Sequence, residues 1–170
     1  MIYLFYIACV ILYIVSPCNL DYGVAIDNMV GIFTYQFMHA SILHLVINIL
    51  SLVLMYEPIK KLYENRFSAI HIPNLFVILY LSSIAVGGFC ATPTPTVGAS
   101  GMVFFLLGML IILNPTLQQL KNYIYVGLAV IVSIIFGNSN VPLHILSFVF
   151  GALYTITLIA YDNRRIKDGE

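Results

Sequence analysis

Apolar stretches of helix length follow one another along almost the whole chain, and this pattern limits the possible folds more than any other feature. Of the 170 residues, 61% are hydrophobic and only 8% are charged. A water-soluble domain of this length needs many more charged residues to cover its surface. We therefore predict an all-α, polytopic membrane protein in which residues 1–170 form a single transmembrane domain.

Six apolar segments are long enough to cross a lipid bilayer when some tilt is allowed. Proline, glycine, asparagine or charged residues separate them, as expected between helices. The predicted helices cover residues 2–16, 38–56, 72–90, 99–113, 121–136 and 141–161. We interpret the first segment as a membrane helix and not as a signal peptide, because it has no basic residue at its start and no cleavage site before a hydrophilic region.

The basic residues predict the orientation of the six helices. With six crossings, all lysines and arginines fall on the side that the two chain termini share, and basic residues mark the cytoplasmic side of a membrane protein. They are Lys60, Lys61, Arg66, Lys121, Arg164, Arg165 and Lys167. We therefore expect both termini in the cytoplasm. A short chain without a targeting segment or an added domain further suggests the plasma (inner) membrane of a prokaryote.

Several classes of partner and cofactor are not expected. The formal net charge is zero and no basic patch is present, which excludes nucleic acid as a partner. The three cysteines show neither paired nor metal-binding spacing. A metal site built from His39, His44 and His144 would lack both the His-Glu-x-x-His spacing of zinc sites and a nearby carboxylate. We therefore predict no metal and no organic cofactor.

Polar side chains occur at one depth on three of the predicted helices. His44 and Asn48 share a face of the second helix because they are four residues apart. Ser100 begins the fourth helix, and His144 lies in the first turn of the sixth. Each of the four lies within about 15 Å of the outer end of its helix. Ionisable groups inside a membrane are costly and usually functional, so we predict one site in the outer half of the bilayer.

Small residues predict that the fourth and sixth helices pack closely. Gly101 and Gly108 are one heptad apart, and Gly151 follows His144 by seven residues. Small residues on facing helices allow their backbones to approach. Such packing would bring Ser100 and His144 within hydrogen-bond distance.

A serine beside a histidine is a nucleophile with its general base. Asn48, His44 and the backbone N–H of Ser100 are donors of the kind that stabilise an oxyanion. Ordinary structural roles are the alternative, because a single buried histidine is usually a core residue. A serine at a helix start is likewise often only an N-cap.

These residues resemble the motifs of the rhomboid intramembrane serine proteases. The matching segments are His39-Ala-Ser-Ile-Leu-His44-Leu-Val-Ile-Asn48, Gly98-Ala-Ser100-Gly101, and His144 with Gly151; residues 79–88 are also similar to the family's third helix. The resemblance covers about residues 38–161. It implies a six-helix rhomboid-like bundle with a cavity open to the outside, and an endopeptidase that cleaves membrane-spanning segments of protein substrates within the lipid bilayer.

By this resemblance, Ser100 is the nucleophile and His144 the general base, while Asn48 and His44 form the oxyanion hole. The remaining matches are supporting residues. They are His39 near the site, Gly98 and Gly101 beside the nucleophile, and Gly151 in the sixth helix. Phe104 is a further supporting residue, which keeps an aromatic ring beside the base histidine.

The chain departs from the family pattern at three places. A Trp-Arg pair of the first loop is missing near Val30-Gly31, Phe104 replaces a tyrosine that commonly stacks on the base histidine, and Ser147 replaces a glycine. The serine predicts a looser approach of the fourth and sixth helices.

Two other functions remain open at this point. A catalytically inactive rhomboid-like protein would bind or escort membrane clients, although such relatives typically lose the serine or the histidine. A channel or transporter would need a polar path across the bilayer, and the inner halves of the helices supply almost no polar residue.

Overall fold

The computed structural model describes residues 1–17, 19–28, 30–68, 70, 72–113 and 140–168. Within these ranges the chain is all-helical and no β-strand forms, as predicted. The helices are α1 (Ile2–Val15), α2 (Gly31–Thr34), α3 (Ile42–Arg66), α4 (Leu75–Phe89), α5 (Ser100–Leu113) and α6 (Val141–Asp168). The short helix α2 was not predicted, and the predicted helix 121–136 lies outside the described residues.

Helix α3 begins and ends later than the predicted segment 38–56. Its start is fixed by Ser41, whose Oγ accepts a hydrogen bond from the backbone N–H of His44 at 3.1 Å. A hydroxyl at this position caps the free N–H groups of the first turn. Residues 38–41 therefore precede the helix, and the prediction that it starts at residue 38 was wrong.

The predicted end of this helix at residue 56, before Pro58, was also wrong. A proline in the interior removes one backbone hydrogen bond. However, the buried face of α3 continues beyond it, with Ile59 and Tyr63 in the core one and two turns after Met55. Burial of these side chains favours continuation of the helix to Arg66.

Helix α6 extends to Asp168, beyond the predicted end at residue 161. Near its end, the nearly buried carboxylate of Asp162 accepts a hydrogen bond from Arg66 Nη1 at 2.7 Å. About one turn earlier in α3 and two turns earlier in α6, the hydroxyls of Tyr63 and Tyr154 are 2.6 Å apart. These two pairs join the last turns of α3 to α6, and we call this end of the bundle the clamp end.

Two described helices, α3 with 25 residues and α6 with 28, are long and apolar enough to cross a membrane. The helices α1, α4 and α5 are apolar but have only 14 or 15 residues. That length corresponds to about 21–23 Å, against about 30 Å for the hydrocarbon core of a bilayer.

Helix α5 lies at the centre of the bundle and contacts α3, α4 and α6. Ten of its 14 residues are buried. It meets α6 backbone to backbone, because a Cβ added at Gly108 would overlap the carbonyl of Phe148, and one added at Gly151 would overlap the carbonyl of Phe105. The close packing that the glycines predicted is therefore present.

We expect Gly108→Ala to lower the free energy of unfolding by about 1–3 kcal/mol, because the added methyl group forces the two backbones apart. Gly88→Ala is the matched control, since its Cβ would meet only Ile32 Cδ1 at 3.9 Å. Alanine is also the better helix former, so this control should be neutral or stabilising by up to about 1 kcal/mol. Unfolding followed by circular dichroism in detergent micelles measures both variants. Equal losses in the two variants would contradict the proposed backbone contact.

Candidate functional site

Ser100 and His144 are in direct contact. Ser100 Oγ lies 2.8 Å from His144 Nε2, and both residues are buried, with 9% and 6% of their surface exposed. Ser100 is the first residue of α5, and His144 lies in the first turn of α6. The packing of α5 on α6 thus brings two helix starts together, and with them the hydroxyl and the imidazole.

The ring of Phe104 fixes the plane of the imidazole. It is stacked on His144, with the ring centroids 4.3 Å apart and the planes 9° from parallel. Phe104 follows Ser100 by one turn of α5, so both residues face α6. The second ring nitrogen of His144, Nδ1, is buried and has no hydrogen-bond partner among the described residues. The arrangement in this part of the chain is therefore a pair of residues without an orienting carboxylate.

Gly98 places the side chains of α3 beside the start of α5. Its φ angle is +117°, a conformation that L side chains rarely adopt. A Cβ at this position would lie 2.6 Å from His44 Cε1 and 3.1 Å from Asn48 Nδ2. The imidazole of His44 and the amide of Asn48 therefore approach the backbone two residues before Ser100, at a distance that only glycine permits.

The amide of Asn48 is a free donor. Asn48 is buried, with 3% of its surface exposed, and its Nδ2 has no hydrogen-bond partner among the described residues. A buried N–H group without an acceptor costs about 1–3 kcal/mol, so such groups are rare in folded proteins. This donor can bind an acceptor atom that enters the site.

His39 lies behind His44 and not beside Ser100. Its ring meets that of His44 edge to face at 5.2 Å, and its Nδ1 is 3.3 Å from the carbonyl oxygen of Phe37. With only 2% of its surface exposed, it supports the position of the His44 ring.

Gly101 leaves room for α6. A Cβ at Gly101 would lie 3.2 Å from Leu143 Cδ2 and 3.3 Å from Ser147 Oγ. Ser147 is buried at 2% exposure. The serine at position 147 therefore packs directly against Gly101, and the looser approach relative to a glycine at this position stays a prediction.

Tyr35 is a buried residue of the site region that the sequence did not single out. Its hydroxyl lies 2.8 Å from the carbonyl oxygen of Ser83 and 2.7 Å from Ser83 Oγ, and its ring packs on Gly87 of α4. Its own carbonyl accepts the N–H of Gly98 at 2.8 Å. Tyr35 thus connects α4 to the turn before Ser100. The pair Gly87-Gly88 was a signal of close approach on α4, but no pattern indicated which loop residue fills the space.

Comparison with known proteins gives one match. A family model described as Rhomboid domain matches residues 27–161, which is most of the chain. No curated protein and no solved structure matches.

A double-mutant cycle tests the contact between Gly98 and His44. We expect Gly98→Ala to destabilise the protein by about 1–3 kcal/mol through its backbone conformation, with a further loss from the overlap with the imidazole. In a His44→Ala background the overlap with the imidazole disappears, while the backbone contribution and the 3.1 Å approach to Asn48 Nδ2 remain. Unfolding free energies of the wild type, both single variants and the double variant give the interaction energy, which we expect to be at least about 1 kcal/mol. Additive losses would show that the two residues do not compete for the same space.

Proposed function

The chain belongs to the rhomboid family of membrane proteins, and from this membership we propose that it is an intramembrane serine endopeptidase with Ser100 and His144 as its catalytic dyad. The observation that carries the proposal is the 2.8 Å contact between Ser100 Oγ and His144 Nε2. A buried hydroxyl and imidazole at this distance form the pair that nucleophilic catalysis requires.

In the proposed topology the chain crosses the membrane six times, with both termini in the cytoplasm and the dyad in the outer half of the bilayer. The lengths of α3 and α6 support two of the crossings. The shorter helices α1, α4 and α5 fit a membrane that thins around the protein. In this topology Ser100, the first residue of the short α5, lies below the outer surface, at a depth that water has to reach for the proposed reaction. The prokaryotic plasma membrane remains the expected location.

The first chemical step forms an acyl-enzyme. His144 Nε2 takes the proton of the Ser100 hydroxyl while Oγ attacks the carbonyl carbon of the scissile peptide bond. Negative charge develops on the carbonyl oxygen. The free Nδ2–H₂ of Asn48, the ring of His44 and the backbone N–H of Ser100 are the donors that stabilise it. The tetrahedral intermediate then loses the amine, which receives the proton from His144.

The second step releases the acyl group. Water entering from the outer side gives a proton to His144 and attacks the ester carbonyl, and the proton then returns to Ser100 as the ester bond breaks. The imidazolium that forms twice in this cycle has no carboxylate partner among the described residues. The face of Phe104, parallel to the ring at 4.3 Å, is the group that stabilises its charge.

Substrates are membrane-spanning protein segments that unwind near the outer interface. A peptide carbonyl within a helix is hydrogen-bonded to the N–H four residues later, so it is shielded from attack. Segments with small or helix-breaking residues near the outer interface therefore unwind at the lowest cost in free energy.

We expect Ser100→Ala and His144→Ala each to lower cleavage of a reconstituted single-span substrate by about three orders of magnitude or more. Asn48→Ala should lower kcat by about 100-fold, because one oxyanion donor is lost. Ser51→Ala is the control, since Ser51 is another serine of 9% exposure, one turn from Asn48. Wild-type activity that survives in Ser100→Ala would reject this nucleophile. A folded but inert wild type would favour the alternative, a rhomboid-like protein that binds or escorts membrane clients.

Reporter fusions test the topology. A reporter enzyme that is active only on the outer side should be inactive at residue 168 and active when inserted after residue 27. A cytoplasmic fluorescent reporter should give the reverse result. Activity of the outer reporter at both positions would put residues 27 and 168 on the same side of the membrane. That result would contradict the five crossings proposed between them.

A further inference from the structure

Asn140 precedes α6 and uses both ends of its amide group. Its Oδ1 accepts the backbone N–H of Leu143 at 3.1 Å, which caps the first turn of α6. Its Nδ2 donates to the carbonyl oxygen of Cys90 at 2.8 Å and lies 3.2 Å from Thr96 Oγ1. One half-buried side chain therefore joins the start of α6 to two other segments.

Both partners of Asn140 belong to segments that other backbone hydrogen bonds hold in place. Cys90 follows the last residue of α4, where carbonyl groups lack partners within the helix. Thr96 pairs with Val24 through two backbone hydrogen bonds of 2.9 Å, one in each direction. The amide of Asn140 thus binds a helix end and a segment that is held by the first loop.

Both residues of the dyad lie four positions from this junction. Ser100 follows Thr96 by four residues, and His144 follows Asn140 by four. The backbone N–H of His144 also donates to the carbonyl oxygen of Asn140 at 3.2 Å. The hydrogen bond between Asn140 and Thr96 therefore connects the chain just before α5 with the chain just before α6.

The glycine contacts between α5 and α6 do not fix this relation. Gly108 and Gly151 set the distance between the helix axes, but small residues present a smooth surface along the axis. A shift of about 1 Å along it would lengthen a 2.8 Å hydrogen bond beyond useful range. At the end of the bundle that carries the dyad, Leu143 and Ser147 pack beside Gly101, and the amide of Asn140 adds directional hydrogen bonds to other segments.

We propose that Asn140 is the positioning residue that fixes the axial register of α6 on α5, and so the distance between Ser100 Oγ and His144 Nε2. This inference rests on the proposed function for its catalytic consequence, although the register itself does not depend on activity. The side chain of Asn140 touches neither member of the dyad in the described contacts, so it acts only through the two helix starts.

Asn140→Ser separates positioning from capping, because serine still caps a helix but is too short to reach Cys90 and Thr96. The matched control is Asn74→Ser. Asn74 caps α4 in the same way, with Oδ1 accepting the N–H of Phe76 at 3.0 Å, and within the described residues its side chain makes no hydrogen bond to another segment. Thr96→Val is a second test variant that removes the hydroxyl and keeps the backbone pairing with Val24.

With the full-length protein in proteoliposomes, we expect Asn140→Ser to lower kcat at least about tenfold with KM changed less than about twofold, since small misplacements of catalytic groups reduce the rate steeply. Thr96→Val should lower kcat in the same direction by a smaller factor, and Asn74→Ser should change neither constant more than about twofold. Wild-type kcat in both Asn140→Ser and Thr96→Val, or equal losses in Asn140→Ser and Asn74→Ser, would overturn the proposal.

A spectroscopic readout distinguishes failure of this inference from failure of the proposed function. The ¹⁵N resonances of the His144 ring report its hydrogen bond to Ser100, with Ser100→Ala as the reference for the lost contact. We expect Asn140→Ser to move these resonances toward the Ser100→Ala positions, and Asn74→Ser to leave them at the wild-type positions. Wild-type resonances in Asn140→Ser would overturn the inference even in an active enzyme. If the wild type cleaves no substrate, the proposed function fails. The His144 ring resonances then still show whether Asn140 fixes the register of α6 on α5.

Discussion

The backbone contact between α5 and α6 is the interaction on which the rest of the structure depends. Lipid tails are as apolar as leucine, so helices in a membrane associate through close packing and not through exclusion from water. Gly108 and Gly151 provide that packing by placing each backbone against a carbonyl of the other helix. With the axes this close, the first residue of α5 and the first turn of α6 meet, and a hydroxyl and an imidazole come within 2.8 Å.

Polar contacts are concentrated at the two ends of the bundle and leave an apolar centre. At the end that carries the dyad, Tyr35 connects α4 to the turn before α5, and Asn140 connects the start of α6 to the end of α4. At the clamp end, the pairs Arg66 with Asp162 and Tyr63 with Tyr154 join α3 to α6. Hydrogen bonds that are satisfied within the protein are strong in a medium of low dielectric constant, whereas unpaired polar groups there are costly. The amide of Asn48 is one of several buried polar groups without a partner among the described residues, and it is the one that lies beside the turn before Ser100 together with His44.

The sequence predicted the features that depend on local periodicity and on residue size. The starts of α5 and α6 and the approach of their glycine faces follow from helix patterns, and the meeting of Ser100 with His144 follows from those two. The extension of α3 through Pro58 was missed because burial of later side chains outweighs a local break, which only the tertiary packing reveals. Tyr35 and Asn140 were missed for a related reason, since loop residues carry no periodic signal and their partners are 44 to 50 residues away. The catalytic roles, which rest on chemistry and family resemblance, stay predictions.

The clamp end and the dyad lie far apart on the same helix, α6. Its attachment to α3 at Asp162 lies eighteen residues beyond His144, or about 27 Å along the helix axis. Over this length a tilt of about 3° around Asp162 would displace the imidazole by about 1.4 Å, more than its hydrogen bond to Ser100 tolerates. The pair of Tyr63 with Tyr154, the glycine contacts with α5 and the amide of Asn140 all oppose such a tilt. The distance between the hydroxyl and the imidazole therefore depends on contacts along the whole of α6, including an ion pair remote from the dyad.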